Sequence, residues 1–193
     1  MRKKKILAML VSTGLLVGLA SGLTGCGDIE TENESEEETA DSIIPDDATW
    51  LDGNAYYAYD DSLAWDEAEA FCTELGGHLI SINSKEEQSL TVKLAKETGK
   101  DNIWTGGYLD DDTWAWTDGS NFFSYTNWDT SQPDSYDGVE AYIRFTSSDI
   151  YYEETNWTAN EGKWNDIALS GDSDTPLSSF GFICEWQDAT RLL

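Results

Sequence analysis

Histidine and positive charge are scarce in this 193-residue chain: His78 stands alone, and 11 Lys+Arg face 38 Asp+Glu for a formal net charge of -27 at pH 7. One histidine is a thin basis for a Ser-His-Asp triad and gives zinc no second imidazole. The acidic excess turns nucleic acid and anionic lipid surfaces into poor partners. Neither a nucleophile elbow nor a phosphate-binding glycine loop is found, so two common signatures of catalysis and nucleotide binding are missing. No internal repeat is apparent. Cysteine is limited to three positions, an odd number that in a secreted chain leaves one thiol to be explained.

The first 25 residues hold the one long apolar run. Arg2, Lys3, Lys4 and Lys5 precede an apolar stretch from Ile6 to about Ala20, the layout of a secretory signal. It ends at Leu23-Thr24-Gly25-Cys26, which resembles the bacterial lipobox. The expectation is a lipoprotein signal peptide over 1–25, with Cys26 acylated and the chain held by that lipid alone on the extracytoplasmic face of a bacterial membrane. Cys72 and Cys184 then remain as a disulfide pair. Closing that span stabilises a fold by about 4 to 5 kcal/mol in the chain-entropy model and requires an oxidising compartment. Four of the 11 basic residues precede Cys26, leaving seven against all 38 acidic ones. Residues 28–47 contain ten acidic residues and no basic one, so 26–48 is expected to be an acidic, disordered tether. Its reach as a flexible coil is on the order of 25 Å.

A domain over 49–190 follows, since all nine tryptophans and all nine tyrosines lie between Trp50 and Trp186. Ala55 to Tyr59 is expected to be a strand. Trp65, Ala68, Cys72 and Leu75 recur at helical spacing after Asp61 and Ser62, either of which could cap, and Gly76-Gly77 stops the helix. His78 to Ile82 alternates like a strand. Ser84 with Glu87 forms a capping box for a second helix through Leu90 and Leu94 to about Thr98, ended by Gly99. Short strands are expected at Asn102–Thr105, Thr113–Trp116, Glu140–Phe145 and Gly181–Trp186, with loops rich in Gly, Asp, Ser and Asn between them. The class is α+β.

Within those loops, Gln132-Pro133-Asp134, Glu140 and Trp164-Asn165-Asp166 gather oxygen-bearing side chains. Calcium takes roughly 6 to 8 oxygens from carboxylates and amides. Three carboxylates (Asp134, Glu140, Asp166) and two amides (Gln132, Asn165) overbalance a divalent ion by one charge and leave positions open for water or ligand hydroxyls. Acidic residues are common throughout the chain, so the proline between two donors and the Trp-Asn-Asp strand carry the specificity. Paired carboxylates also serve glycosidases, but carboxylates held ionised by a metal make poor general acids, so a binder rather than an enzyme is expected.

Together these segments resemble the C-type lectin-like domain family over most of Tyr56 to Trp186. Trp65-x-x-Ala68-x-x-x-Cys72, Gly76-Gly77-His78-Leu79 and Ile82-x-Ser84 are similar to the family's first helix and second strand. Trp104-Thr105-Gly106-Gly107 stands where the family carries its Trp-Ile-Gly-Leu core motif. Trp116-Thr117-Asp118-Gly119-Ser120, Tyr125-Thr126-Asn127-Trp128 and Phe182-Ile183-Cys184-Glu185 continue the match. The resemblance implies two helices flanking small antiparallel sheets with a long loop region, and a cis bond before Pro133. It further implies calcium held by Gln132, Asp134, Glu140, Asn165 and Asp166, with the same five side chains contacting sugar hydroxyls. The Gln-Pro-Asp order resembles the galactose and N-acetylgalactosamine arrangement, and Tyr136 stands where such binders place a ring against the sugar.

Two departures bear on this. The family's inner disulfide falls on Tyr142 and Leu169, so an apolar contact is expected there. The segment 146–162 is longer than usual and holds Tyr151, Tyr152 and Trp157, which motivates an alternative: a protein-binding adhesin or assembly module in which calcium is structural or absent. Asn156-Trp157-Thr158 matches a glycosylation sequon, of little weight in a bacterial lipoprotein. Trp65, Trp104, Trp116, Trp128 and Trp164 are read as packing residues, and His78 as a strand residue rather than a ligand.

Overall fold

The computed structural model describes residues 43–153 and 157–189. The signal segment, Cys26, the tether up to residue 42 and Asn156 of the sequon lie outside the described residues. Helix α1, Trp65–Glu74, buries Trp65, Ala68 and Cys72, the stripe their spacing predicts. Its start differs from expectation, because the N-cap is Ala64, whose N–H donates to the Glu67 carboxylate at 3.0 Å. Ser62 instead donates to the Ser178 and Phe180 carbonyls at 3.3 and 3.4 Å. Helix α2, Lys85–Thr98, opens as expected: Ser84 Oγ accepts from Glu87 N–H at 3.1 Å, and Gly99 closes it in the left-handed region at φ 69°. Glu87 reaches back one residue further than a capping box requires, to Asn83 N–H at 2.7 Å.

Among the described residues, ten strands accompany the helices: β1 Thr49–Leu51, β2 Asn54–Tyr59, β3 His78–Leu79, β4 Asn102–Asp110, β5 Thr113–Trp116, β6 Tyr142–Thr146, β7 Ile150–Tyr152, β8 Trp157–Ala159, β9 Trp164–Ile167 and β10 Phe180–Trp186. The main sheet runs β1-β2-β10-β4-β6-β9, with β3 on β10 and β5 on β4. β10 lies parallel to β4 and antiparallel to β2 and β3. β3 is shorter than the alternation suggests. Beyond Leu79 the chain leaves the ladder, and Ile80 bridges instead, donating to Ile183 O at 2.9 Å and accepting from Gly106 N–H at 2.8 Å.

Gly106 and Gly107 are where β4 meets its neighbours most closely. A Cβ on Gly106 would stand 2.5 Å from Leu79 O, and one on Gly107 2.4 Å from Ile143 Cδ1. The β4–β6 register shifts there, between Trp104 and Tyr108. Two aromatic clusters fill the core. One centres on Trp104, stacked on Phe180 at 4.1 Å, with Phe182 and the Cys72–Cys184 disulfide. The other centres on Trp116 and Trp164, edge to face at 5.5 Å, with Phe122 and Phe145. Four indole N–H groups find partners: Trp65 on Thr105 O, Trp104 on Leu63 O, Trp164 on Gln88 Oε1 and Trp186 on Leu75 O. Trp65, Trp104, Trp116 and Trp164 are thus packing residues, and Trp128 packs half-buried against the second cluster.

The disulfide ties α1 to β10 with Cα atoms 5.5 Å apart. Ile43 N–H donates to Leu75 O at 2.9 Å, and Ile44 and Ala48 pack on the first cluster, so residues ahead of Thr49 also contact the domain. Tyr142 and Leu169, at the inner-disulfide positions, both pack on that cluster, and Tyr142 lies 4.6 Å from the Trp65 ring. The long segment before β9 folds as a β7–β8 ladder. Buried Asp129 pins its far end by accepting from Asn160 N–H and Nδ2, each at 2.8 Å.

Candidate functional site

Sheet edge and loop meet at the candidate ligands. β9 carries Asn165 and Asp166 and pairs with β6, setting Ile143 opposite Asp166 and Arg144 opposite Asn165. Glu140 stands just ahead of β6, its neighbour Ala141 held by Ile167 O at 3.2 Å and by Leu109 N–H at 2.8 Å. The loop from 131 to 138 brings the rest. Its Gln132–Pro133 peptide is cis, as the resemblance implies, and Ser131, Ser135 and Asp137 all take positive φ (69°, 49° and 54°). Three non-glycine residues in that region within seven positions mark a loop held by its surroundings, as at ligand clamps.

Those surroundings are the carboxylates themselves. Asp166, wholly buried, accepts from Asp134 N–H at 3.1 Å and Ser135 N–H at 2.8 Å, while Glu140 accepts from Tyr136 N–H at 2.8 Å. Oxygens of Asp134, Glu140 and Asp166 all lie within 4.8 Å of one another. Gln132 and Asn165 line the same cleft, and the side-chain oxygen of each is buried with no hydrogen-bond partner. Burial pushes the Glu140 carboxyl up to about 7, with the nearby Asp166 and Asp134 charges acting the same way against the Tyr136 N–H. Burial also raises Asp166, against the donors from Ser135 and Asp134. Crowded carboxylates that resist ionising, beside two amide oxygens lacking donors, fit a hard divalent cation. All five residues named from sequence therefore meet in one place.

The cleft above them has a volume of about 450 Å³. Tyr136 lies on its wall, 68% exposed and next to Val139 at 60%.

Residues 61–186 match the Lectin C-type domain family. The chain belongs to the C-type lectin domain family. Asialoglycoprotein receptor 2 of Rattus norvegicus is 34% identical over 120 residues, which cover 61% of this chain and 36% of the receptor. The chain thus spans little more than a third of that relative. An alpha-N-acetylgalactosamine-specific lectin of Patiria pectinifera is 32% identical over 147 residues, covering 71% of this chain and 76% of that one. Among solved structures, the C-type lectin CEL-I from Cucumaria echinata superposes with TM-score 0.59 at 22% identity, over 74% of this chain and 96% of that one. A type II antifreeze protein described as calcium-independent superposes with TM-score 0.58 at 25% identity, over 75% and 95%. The C-type lectin fold alone therefore carries no requirement for calcium, and that question returns to the side chains.

Sequence reasoning missed part of this lectin-domain cleft. Asp137, Val139, Ala168, Asp172, Ser173 and Asp174 line it beside the named ligands. The Gly171 to Thr175 turn gives no periodic or metal-spacing signal. Its acidic composition was the available hint, and it is submerged in an acidic chain. Arg144 went unremarked as well. It is 2% exposed, and its Nε and Nη1 lack partners. Burial works against its charge, while Tyr152, Asp172 and Glu140 favour it. Arg144 thus links the inserted ladder to the cleft electrostatically.

Proposed function

We propose that this domain is a calcium-dependent carbohydrate-binding module, of the galactose or N-acetylgalactosamine type, carried by a surface lipoprotein anchored through Cys26. The observation that carries it is the convergence of three carboxylates with two partnerless amide oxygens at the floor of an open cleft. Gln132, Asp134, Glu140, Asn165 and Asp166 would hold the ion, and calcium supplies a coordination shell in which neighbouring ligand hydroxyls can take positions. Around that shell the carboxylates accept from the sugar hydroxyls and the amides donate to them, fixing the orientation of a vicinal pair. The exposed Tyr136 ring offers an apolar surface to a sugar face, a burial contributing about 1 to 2 kcal/mol at about 25 cal/mol per Å². The Gln-Pro-Asp order and the N-acetylgalactosamine-specific relative support the galactose lean.

Titration with galactose, N-acetylgalactosamine and mannose, first in calcium and then in chelator, tests the reading. Galactosides should bind in calcium and be released by chelator. A protein that binds calcium yet no glycan on an array refutes it. Replacing Cys26 with Ala should shift the protein from membrane to soluble fractions.

A second reading rests on the β7–β8 ladder, where Tyr151 is 58% exposed. A protein-binding module built on it would keep its partner in chelator and lose it on Tyr151→Ala.

A further inference from the structure

We propose that the cleft sorts sugars by charge, preferring a 2-amino sugar with a free protonated amine, such as galactosamine, to neutral galactose, and rejecting uronic acids. This rests on the calcium-dependent carbohydrate reading and specifies which ligands that site takes. Asp134, Asp137, Glu140, Asp172 and Asp174 line the cleft, and no lysine or arginine is among its lining residues. Asp166 adds a sixth carboxylate at its floor. Set against them are the two charges of a bound calcium and the buried guanidinium of Arg144, which acts on Glu140 and Asp172. The formal balance is three negative charges, in a chain whose own net charge is -27.

Asp137, Asp172 and Asp174 serve no proposed metal, and the Asp172 carboxylate is fixed in place. Asp172 Oδ1 accepts from Asp174 N–H at 2.8 Å, Thr175 N–H at 2.7 Å and Thr175 Oγ1 at 2.8 Å. Asp172 N–H returns a bond to Thr175 O at 3.1 Å, and Thr175 is 97% buried, with 3% of its surface exposed. Asp172 and Asp174 themselves remain exposed. The turn therefore holds the Asp172 carboxylate on the cleft wall, beside Asp174, before any ligand arrives, which lowers the ordering cost of its use. A neutral sugar gains little from them, an ammonium group is attracted, and a ligand carboxylate is repelled, which is selection by unlike and like charge.

The test titrates the full-length, calcium-loaded protein at low ionic strength with galactosamine, galactose and galacturonic acid, three ligands that differ in charge on one hexose frame. Galactosamine should bind about threefold more tightly than galactose, and galacturonic acid about threefold more weakly, the scale of an exposed ion pair. Both differences should shrink in about 0.5 M salt, which screens charges beyond a few ångströms. The Asp172→Asn, Asp174→Asn double variant, shown folded by near-ultraviolet circular dichroism, should bring the galactosamine-to-galactose ratio toward one. Equal affinities for the three ligands, or tightest binding of galacturonic acid, overturn the charge-sorting proposal while leaving galactose recognition intact. If calcium binds and none of the three sugars does, the carbohydrate reading itself falls and takes this proposal with it.

Discussion

Asp166 does two jobs with one carboxylate. It points an oxygen toward the convergence of Asp134 and Glu140, and it ties down the chain after the cis proline through the N–H groups of Asp134 and Ser135. Removing it should therefore cost both metal and loop order. Asp166→Ala is expected to abolish the calcium-induced rise in melting temperature. It should also lower the stability of the calcium-free domain by about 2 to 4 kcal/mol, since two donors lose a charged acceptor; calorimetric scans with and without calcium read both effects. Specificity is argued at neighbouring positions. Exchanging Gln132→Glu with Asp134→Asn reverses which side of the proline carries the charge, and should move preference from galactose toward mannose in competition binding. An unchanged preference would remove that pair from the account of specificity.

At the scale of elements, the disulfide clamps α1 to β10 across 112 residues, away from the strand and loop that carry the candidate ligands. Replacing Cys72 and Cys184 with Ala should lower stability by about 2 to 5 kcal/mol in urea unfolding, with calcium affinity retained in the folded protein. Ser84→Ala should cost about 1 kcal/mol by removing the acceptor for Glu87 N–H. Local chemistry of this kind was readable in advance. Ser84, Gly99 and the Trp65-Ala68-Cys72 stripe act within a few residues of themselves, and their helices appear where the spacing puts them. The Ala64 start of α1 was not readable, because Ser62 is drawn off to carbonyls 116 and 118 residues away. The parallel pairing of β10 with β4 is equally non-local, joining Phe180 to Asn102. The same division runs through the site. A proline flanked by donors and a Trp-Asn-Asp strand announce the floor of the cleft. Asp172 and Asp174 join the cleft wall, and Arg144 acts on it electrostatically, only through tertiary packing, and none of the three bears a motif.

The molecule as a whole carries buried acid. Burial pushes Glu185 up to about 7, although Asn54, Tyr56 and Ser81 donate to it. Burial likewise raises Glu69, Glu140 and Asp166. A carboxyl with a raised folded pKa binds protons more tightly in the native state than in the unfolded one. Its stabilising share is complete at acid pH and is lost as pH climbs through the folded value. For Glu185 that share is on the order of 3 kcal/mol. Asp118 runs the other way: burial raises it, but the Ser120 N–H and hydroxyl, with Ser81 and His78, outweigh that, and its contribution is complete above the ordinary 3.8 and fades as pH falls below it. The calcium-free domain should therefore melt at a higher temperature at about pH 5.5 than at about pH 8 in chelator, a slope measurable by thermal scans across that range. Glu185→Gln should flatten it.

The order of strands in the main sheet also decides how the domain can be presented. β1, the first strand of the described chain, lies at one margin, and the convergent oxygens sit on and beside β9, at the other. Five strand spacings separate those margins, about 24 Å at about 4.8 Å each. A surface gripping the molecule at the β1 margin leaves the far margin outward, where a bulky polymer can be met without steric conflict.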